Sequence, residues 1–267
     1  MSEQRLTKWE LLRIWSRFCF FHFSHTGAKK MKGHCWSYAL SVIANKYYQD
    51  DEQKRQKFFA RHCEYYNDEP LTGQVVAGYI TKLETEIATG VTTDVKAIGQ
   101  MKKALMEPVA NIGNHLVQSL ILPLLLLLGI GLSFGGNWVG AVVYAVSAFV
   151  IGLAISFGSF IAGFRHGEKA VDYFLSDKMK KIMTGLQIFL LVMIGGAATI
   201  FTNAEVEFGS VFRFELTDWL THVLGPLSVV YLAYYLLAMK KLKQDIIVLV
   251  LSIIVVVGAV GMTLLLP

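Results

Sequence analysis

From residue 116 to the carboxyl end the chain is made of apolar stretches too long for the core of a small soluble domain. Five can be read: 116–134, 138–164, 182–202, 219–239 and 246–266. Each approaches or exceeds the roughly 17–25 residues that carry a helix across a bilayer. The first two are separated only by Gly135, Gly136 and Asn137, so they form either two crossings or a re-entrant hairpin. The fold expected is a mainly α-helical integral membrane protein, in which cytoplasmic or interfacial amphipathic helices are followed by about five hydrophobic segments. Residues 1–103 make up the amino-terminal cytoplasmic and interfacial region, and residues 104–267 the transmembrane region.

Composition supports this division. Hydrophobic residues reach 54% and charged residues only 17%, against roughly 45–50% and about 25% in soluble domains. The net charge of +5 is spread along the chain and mixed with acids, with no basic stripe interleaved with aromatics, so nucleic acid is not the expected partner. The charge fits loops that face anionic lipid. Arg165, Lys169, Lys178, Lys180 and Lys181 follow the second stretch, and Lys240, Lys241 and Lys243 follow the fourth. Between the third and fourth, Arg213 stands among Glu205, Glu207, Glu215 and Asp218. The positive-inside rule then puts 165–181 and 240–245 in the cytoplasm, 203–218 outside, the amino half inside and the carboxyl terminus outside.

The two regions meet in residues 104–123, ALMEPVANIGNHLVQSLILP. Asn111, Asn114, His115, Gln118 and Ser119 interrupt the start of an apolar run, with Pro108 and Pro123 expected to break the backbone on either side. Asn111, Asn114, His115 and Gln118 share one broad helical face at roughly 3.6 residues per turn. Unsatisfied polar groups in hydrocarbon cost several kcal/mol each, so such a face lines a wet path or bonds a neighbouring helix.

The amino half reads as a series of short helices. Leu6, Trp9, Leu12 and Trp15 recur at helical spacing through residues 6–23, with Thr7 and Glu10 forming a capping box; this suits an interfacial helix and leaves no apolar signal core. A basic loop containing Lys29, Lys30 and Lys32 follows, its lysines either solvated or touching lipid phosphates or a partner. Further helices are expected over 35–48, 50–66 and 72–86, the last with Gly73, Ala77 and Gly78 permitting close backbone approach. Asp94 is expected to cap a helix over 95–106. In residues 61–70, RHCEYYNDEP, His62 and Glu64 look like an acid–base pair, but residues two apart on a helix face away from each other. Cys19, Cys35 and Cys63 have neither disulfide nor zinc spacing. No phosphate loop, nucleophile elbow or HExxH motif occurs. Neither cofactor nor metal is therefore expected.

RHCEYYNDEP resembles the arginine-histidine-x-glutamate-aromatic-aromatic-asparagine-x-x-proline run of the IID components of the mannose/fructose/sorbose class of bacterial sugar phosphotransferase systems. MEPVANIGNHL, residues 106–116, is similar to that family's glycine-proline-leucine-alanine-glycine-isoleucine-glycine-aspartate element. Order, spacing and hydropathy agree from LTKWELLRIWSR to the last apolar stretch. The resemblance implies a membrane subunit that forms a sugar pathway with a IIC subunit in a hetero-oligomer in the bacterial cell membrane. Phosphate would pass from a IIA histidine to a IIB histidine and then to the sugar, a hexose or amino sugar, while the IID chain itself is not phosphorylated. Candidate sugar-binding residues are Asn114, His115 and Gln118, with His25 as an outlying fourth.

This sequence departs from the family pattern at several points. Asn114 stands where the aspartate is usual, Asn111 and Glu107 where glycines are, and Leu122 where an arginine is common, the last a feature of amino-sugar-type members. Ser24, His25 and Thr26 replace a serine-tryptophan-asparagine pattern. Losing the carboxylate and the guanidinium together is electrically balanced. Alternative readings are a membrane scaffold or receptor subunit without direct sugar contact, and a plain secondary transporter or channel.

Overall fold

The computed structural model describes residues 5–24, 26–133 and 136–201. Nine α-helices and one π-helical segment occur among them, with no strand. Helix α1 (Lys8–Phe20) starts where its capping box predicts. The Thr7 hydroxyl accepts from the Glu10 amide at 3.2 Å, and the Glu10 carboxylate accepts from the Thr7 amide at 2.7 Å. Helices α2 (Gly33–Tyr47) and α3 (Glu52–His62) follow, the latter capped by Asp51. The chain then runs without regular structure through residues 63–73 into α4 (Gln74–Ala88). Helix α3 ends earlier than the expected 66, because the Tyr66 backbone pairs instead with residues 30–32, its carbonyl accepting from the Lys32 amide at 3.0 Å.

Asp94 caps α5 (Val95–Asn114), accepting from the Ala97 amide at 3.1 Å. Against expectation, neither proline breaks this helix. Pro108 lies inside α5, and the chain continues through a π-helical segment, His115–Ile121, into α6 (Leu122–Leu132), giving one apolar helix of 38 residues. The π segment explains how Pro123 is tolerated. A proline has no N–H and its ring presses on the carbonyl four residues back, here that of Ser119. Widening the preceding turns relieves this crowding, and the Leu122 amide bonds the Val117 carbonyl, five residues back.

Helix α7 (Val139–His166) returns antiparallel to α6, and is followed by α8 (Glu168–Phe174) and α9 (Asp177–Phe201). Among the described residues the Val95–Leu132 and Val139–His166 helices are long and apolar enough to cross a membrane. The 219–239 and 246–266 stretches lie outside the described residues.

The core forms where α1, α2, α3, α4 and α7 meet, around Phe18, Trp36, Ile43, Phe58, Val76, Ile80 and Phe160. Small residues decide the α4–α7 contact. A Cβ on Gly78 would stand 2.0 Å from the Phe160 carbonyl oxygen, and one on Gly163 2.0 Å from that of Val75. The two backbones touch, as Gly78 in the expected small-residue stretch suggested. Leu71 lies against Gly152, Val75 against Gly163 and Tyr79 against Gly167, so α4 runs parallel to α7.

Candidate functional site

Two polar regions lie beside the 38-residue helix. The first is the face read from sequence. Asn111, Asn114, Gln118 and Ser119 are exposed and His115 is half-buried, on α5 and the π segment. Gln118 Nε2 donates to Asn114 Oδ1 at 3.4 Å, a long bond that nevertheless shows the two amides share a face. His115 adjoins Asn114 in the chain. His25, the fourth candidate, lies outside the described residues.

The second region was not foreseen. It is built from the RHCEYYNDEP segment and is buried in two clusters. In the lower one, Glu84 of α4 is fully buried and accepts from Arg61 Nε and Nη2, both at 2.6 Å, and lies 2.6 Å from His62 Nε2. Burial alone would raise the Glu84 carboxyl; the bonds from Arg61 and His62 outweigh it and hold the group below its ordinary value. Desolvation lowers His62 to about 4, so the ring is neutral near pH 7 and donates its Nε2–H to Glu84. The Lys102 ammonium sits 4.5 Å from the Trp36 ring centroid and 5.4 Å from that of Tyr66. Glu64, exposed, reaches instead to Lys103 at 3.6 Å, so His62 and Glu64 do face apart.

The upper cluster occupies the turn before α4. Lys32, from the basic loop read as solvated or touching lipid or a partner, is instead buried within the chain: its Nζ donates to the Asp68 carbonyl and stands 3.4 Å from Asp68 Oδ1. An acid brought in from another segment accounts for the difference, because a lysine is buried only when its charge is paired. His22 Nε2 lies 3.1 Å from the same Oδ1, near enough to interact but not aligned as a hydrogen bond. Glu69 accepts from the amides of Leu71 at 3.0 Å and Thr72 at 2.6 Å and from the Thr72 hydroxyl at 2.7 Å. Gln74 Nε2 donates to the Pro70 carbonyl at 3.1 Å, whereas its Oε1 is buried without a partner.

Gly113 joins the two regions. A Cβ there would meet the Thr72 hydroxyl at 2.0 Å and Glu69 Cβ at 2.9 Å, so the buried turn presses on the helix one residue before Asn114. The motif RHCEYYNDEP was visible in the sequence, but its partners Glu84, Lys32 and His22 come from three separate segments. One signal was available: Glu84 follows Ala77 and Ile80 by seven and four residues, which puts an acid on the apolar stripe of α4.

Two helices long and apolar enough to span a membrane, with buried polar clusters beside them, mark a mainly helical membrane protein. Solved chains with this fold include one described simply as a membrane protein, with a TM-score of 0.79, 21% identity and 97% of both chains covered. Another belongs to the cryo-EM structure of the mannose transporter ManYZ with microcin E492, with a TM-score of 0.58, 21% identity and 97% of both chains covered. Residues 5–264 match the family model for the IID component of the mannose/fructose/sorbose phosphotransferase systems, and the chain belongs to that family. Its relatives include the fructose permease IID component of Bacillus subtilis (strain 168), 27% identical over 209 residues, 77% of this chain and 74% of that protein. The mannose-specific IID component of Escherichia coli (strain K12) is 23% identical over 206 residues, 77% of this chain and 72% of that protein.

Proposed function

We propose that this chain forms, with a IIC subunit, the membrane path through which a hexose or amino sugar enters and is phosphorylated by phosphorylated IIB. IIB receives its phosphate from IIA, and this chain carries none. The observation that supports this reading is a row of exposed amides and a hydroxyl, Asn111, Asn114, Gln118 and Ser119, on a helix otherwise apolar enough to span a membrane. Such a face is stable in hydrocarbon only against protein or water. The IIC subunit covers it, and Asn114, His115 and Gln118 offer hydrogen bonds to the sugar hydroxyls, with His25 as a further contact. The chain crosses the bacterial cell membrane about five times. Residues 1–103 lie on the cytoplasmic side or at its interface, the transmembrane region follows from 104, loops 165–181 and 240–245 face the cytoplasm, and the carboxyl terminus is outside.

The test is sugar uptake and phosphorylation in membranes holding this chain and its neighbouring IIC, with and without phosphorylated IIB, over a panel of hexoses and amino sugars. Phosphorylation that requires all three proteins is expected. An intact IIC complex that phosphorylates none of them overturns the reading. Asn114→Leu should reduce transport at least tenfold, with copurification of IIC unchanged; equal loss of both would make Asn114 a contact between helices.

A further inference from the structure

Helix α1 is apolar on two sides. Ile14 and Phe18 enter the core, yet Trp9, Leu12 and Phe20 face outward on the other side, Trp9 78% and Phe20 59% exposed. A helix facing water would carry polar residues there. Two of its charges are already engaged: Glu10 pairs with Lys46 at 2.8 Å, and Arg17 donates to the Tyr38 carbonyl at 3.1 Å and to Ser41 Oγ at 2.7 Å. Lys8 and Arg13 are exposed, and neither side chain has a partner among the described residues. Arg13 lines a groove of about 420 Å³ with Trp9, Leu12, Trp15 and Ser16, within the roughly 300–1,000 Å³ of small-ligand sites.

The contacts of the amino half fix the level of this groove along α7. Lys32, just before α2, reaches Asp68, before α4. Tyr48, just after α2, interacts with Arg61, which bonds Glu84 near the end of α4. Helix α2 therefore runs parallel to α4, and so to α7. Helix α1 runs the opposite way, because Glu10 near its start meets Lys46 and Arg17 near its end meets Tyr38. Its start thus points toward the His166 end of α7. Trp15 Nε1 donates to Ser156 Oγ at 2.9 Å, about 15 Å from that end at 1.5 Å per residue. Trp9, six residues earlier, lies about 9 Å nearer to it. Arg165, His166 and Lys169 cluster at the same level. Tryptophans gather where a membrane meets water, and helical side chains tilt toward the helix start, so the long Arg13 side chain leans toward that boundary.

The groove is therefore polar at one end and apolar at the other. Lys8, Trp9 and Arg13 stand at the boundary. Leu12 and Phe20 continue inward, joined from α7 by Phe157, whose ring meets Trp15 edge-on with centroids 5.0 Å apart. A phosphodiester above an acyl chain has the same polarity. Two unpaired cations favour a headgroup with net negative charge, since a zwitterionic one brings a cation of its own. We propose that the outer face of α1 binds one anionic phospholipid, its phosphate on Arg13 and Lys8 beside Trp9 and an acyl chain along Leu12, Trp15 and Phe20. The site goes beyond the sugar path and requires only that α7 crosses the membrane. Trp15 both lines the groove and bonds Ser156, so the lipid holds α1 against α7.

The experiment uses the purified complex of this chain with IIC, titrated in detergent with phosphatidylglycerol or phosphatidylcholine of the same acyl chains and read by native mass spectrometry. The unaltered complex should retain phosphatidylglycerol the more tightly. One basic residue near a membrane surface is worth about a factor of five, so Arg13→Gln should weaken phosphatidylglycerol by at least that factor and leave phosphatidylcholine unchanged. Arg165→Gln, at the same boundary but outside the groove, should change neither. Independently of any substitution, phosphatidylglycerol brominated on its acyl chains should quench the tryptophan fluorescence of the unaltered complex at a lower mole fraction than brominated phosphatidylcholine. Equal quenching by the two lipids overturns the site. So do equal losses in Arg13→Gln and Arg165→Gln, which would mean diffuse charge attraction, and binding by the isolated chain that the IIC complex lacks, which would mean that IIC covers this face.

Discussion

Replacing Glu84 by glutamine tests the architecture of the amino half most directly. The side chain is fully buried and holds Arg61 through two bonds of 2.6 Å and His62 through a third contact of the same length. The amide keeps the volume but loses the charge, and leaves the Arg61 guanidinium without its counter-ion. Removing one partner of a buried pair typically costs about 3–5 kcal/mol. Arg61 retains 16% side-chain exposure, and solvent can recover part of the loss, so about 3 kcal/mol is the expected value. The assay is guanidinium unfolding of the detergent-solubilised protein, followed by tryptophan fluorescence, since Trp36 lies parallel to His62 with ring centroids 6.4 Å apart. Arg61→Met should cost a similar amount. The double variant Arg61→Met with Glu84→Leu should recover most of it, giving a coupling of roughly 2–3 kcal/mol. A Glu84→Gln change below about 0.5 kcal/mol, or strictly additive single effects, would refute a buried ion pair as the link between α3 and α4.

Gly163→Val places a branched side chain where even a Cβ meets the Val75 carbonyl at 2.0 Å; a loss of about 3 kcal/mol or more is expected, read as protease sensitivity of residues 74–88. Gly113→Ala should cost about 1–3 kcal/mol by the same measure, and Thr72→Ala in the same chain should restore part of it by removing the hydroxyl in the way; no restoration would show that Thr72 is not the obstacle. Stability should also fall on acidification. The buried His62 titrates at about 4 when folded against 6.5 when free, so between those values the unfolded chain binds the proton first. The loss begins as pH drops below 6.5 and approaches about 3 kcal/mol near pH 4. Glu84, held below its free value of 4.5, adds to the loss below that pH. Equal denaturation midpoints at pH 7.5 and 4.5 would contradict this assignment.

Much of the local structure was legible because its causes are local. Thr7 with Glu10, and Asp94, mark helix starts within a few residues of the groups they cap. Gly78 announced close helix contact through its own lack of a side chain. The shared face of Asn114 and Gln118 followed from helical period alone. What escaped depends on partners distant in the chain. Lys32 sits in a basic run that reads as a surface loop, facing water, lipid or a partner, and only Asp68, 36 residues on, makes its burial tolerable. His62 and Glu84 are 22 residues apart on different helices, so neither names the other. The prolines misled for a different reason: a π segment absorbs Pro123, and the decision to widen a helix rather than break it depends on bonds five residues away.

The glycine contact between α4 and α7 sets an order of events during synthesis. Gly78 cannot meet its surface until Gly163 has been made, 85 residues later. At roughly 5–20 residues per second, the ribosome takes about 4–17 s to add those residues. During that interval α4 has emerged, carrying Val75, Val76 and Ile80 and the acid Glu84, with its receiving helix still unmade. The amino half therefore cannot close its core until the helix that follows it in the chain has been made.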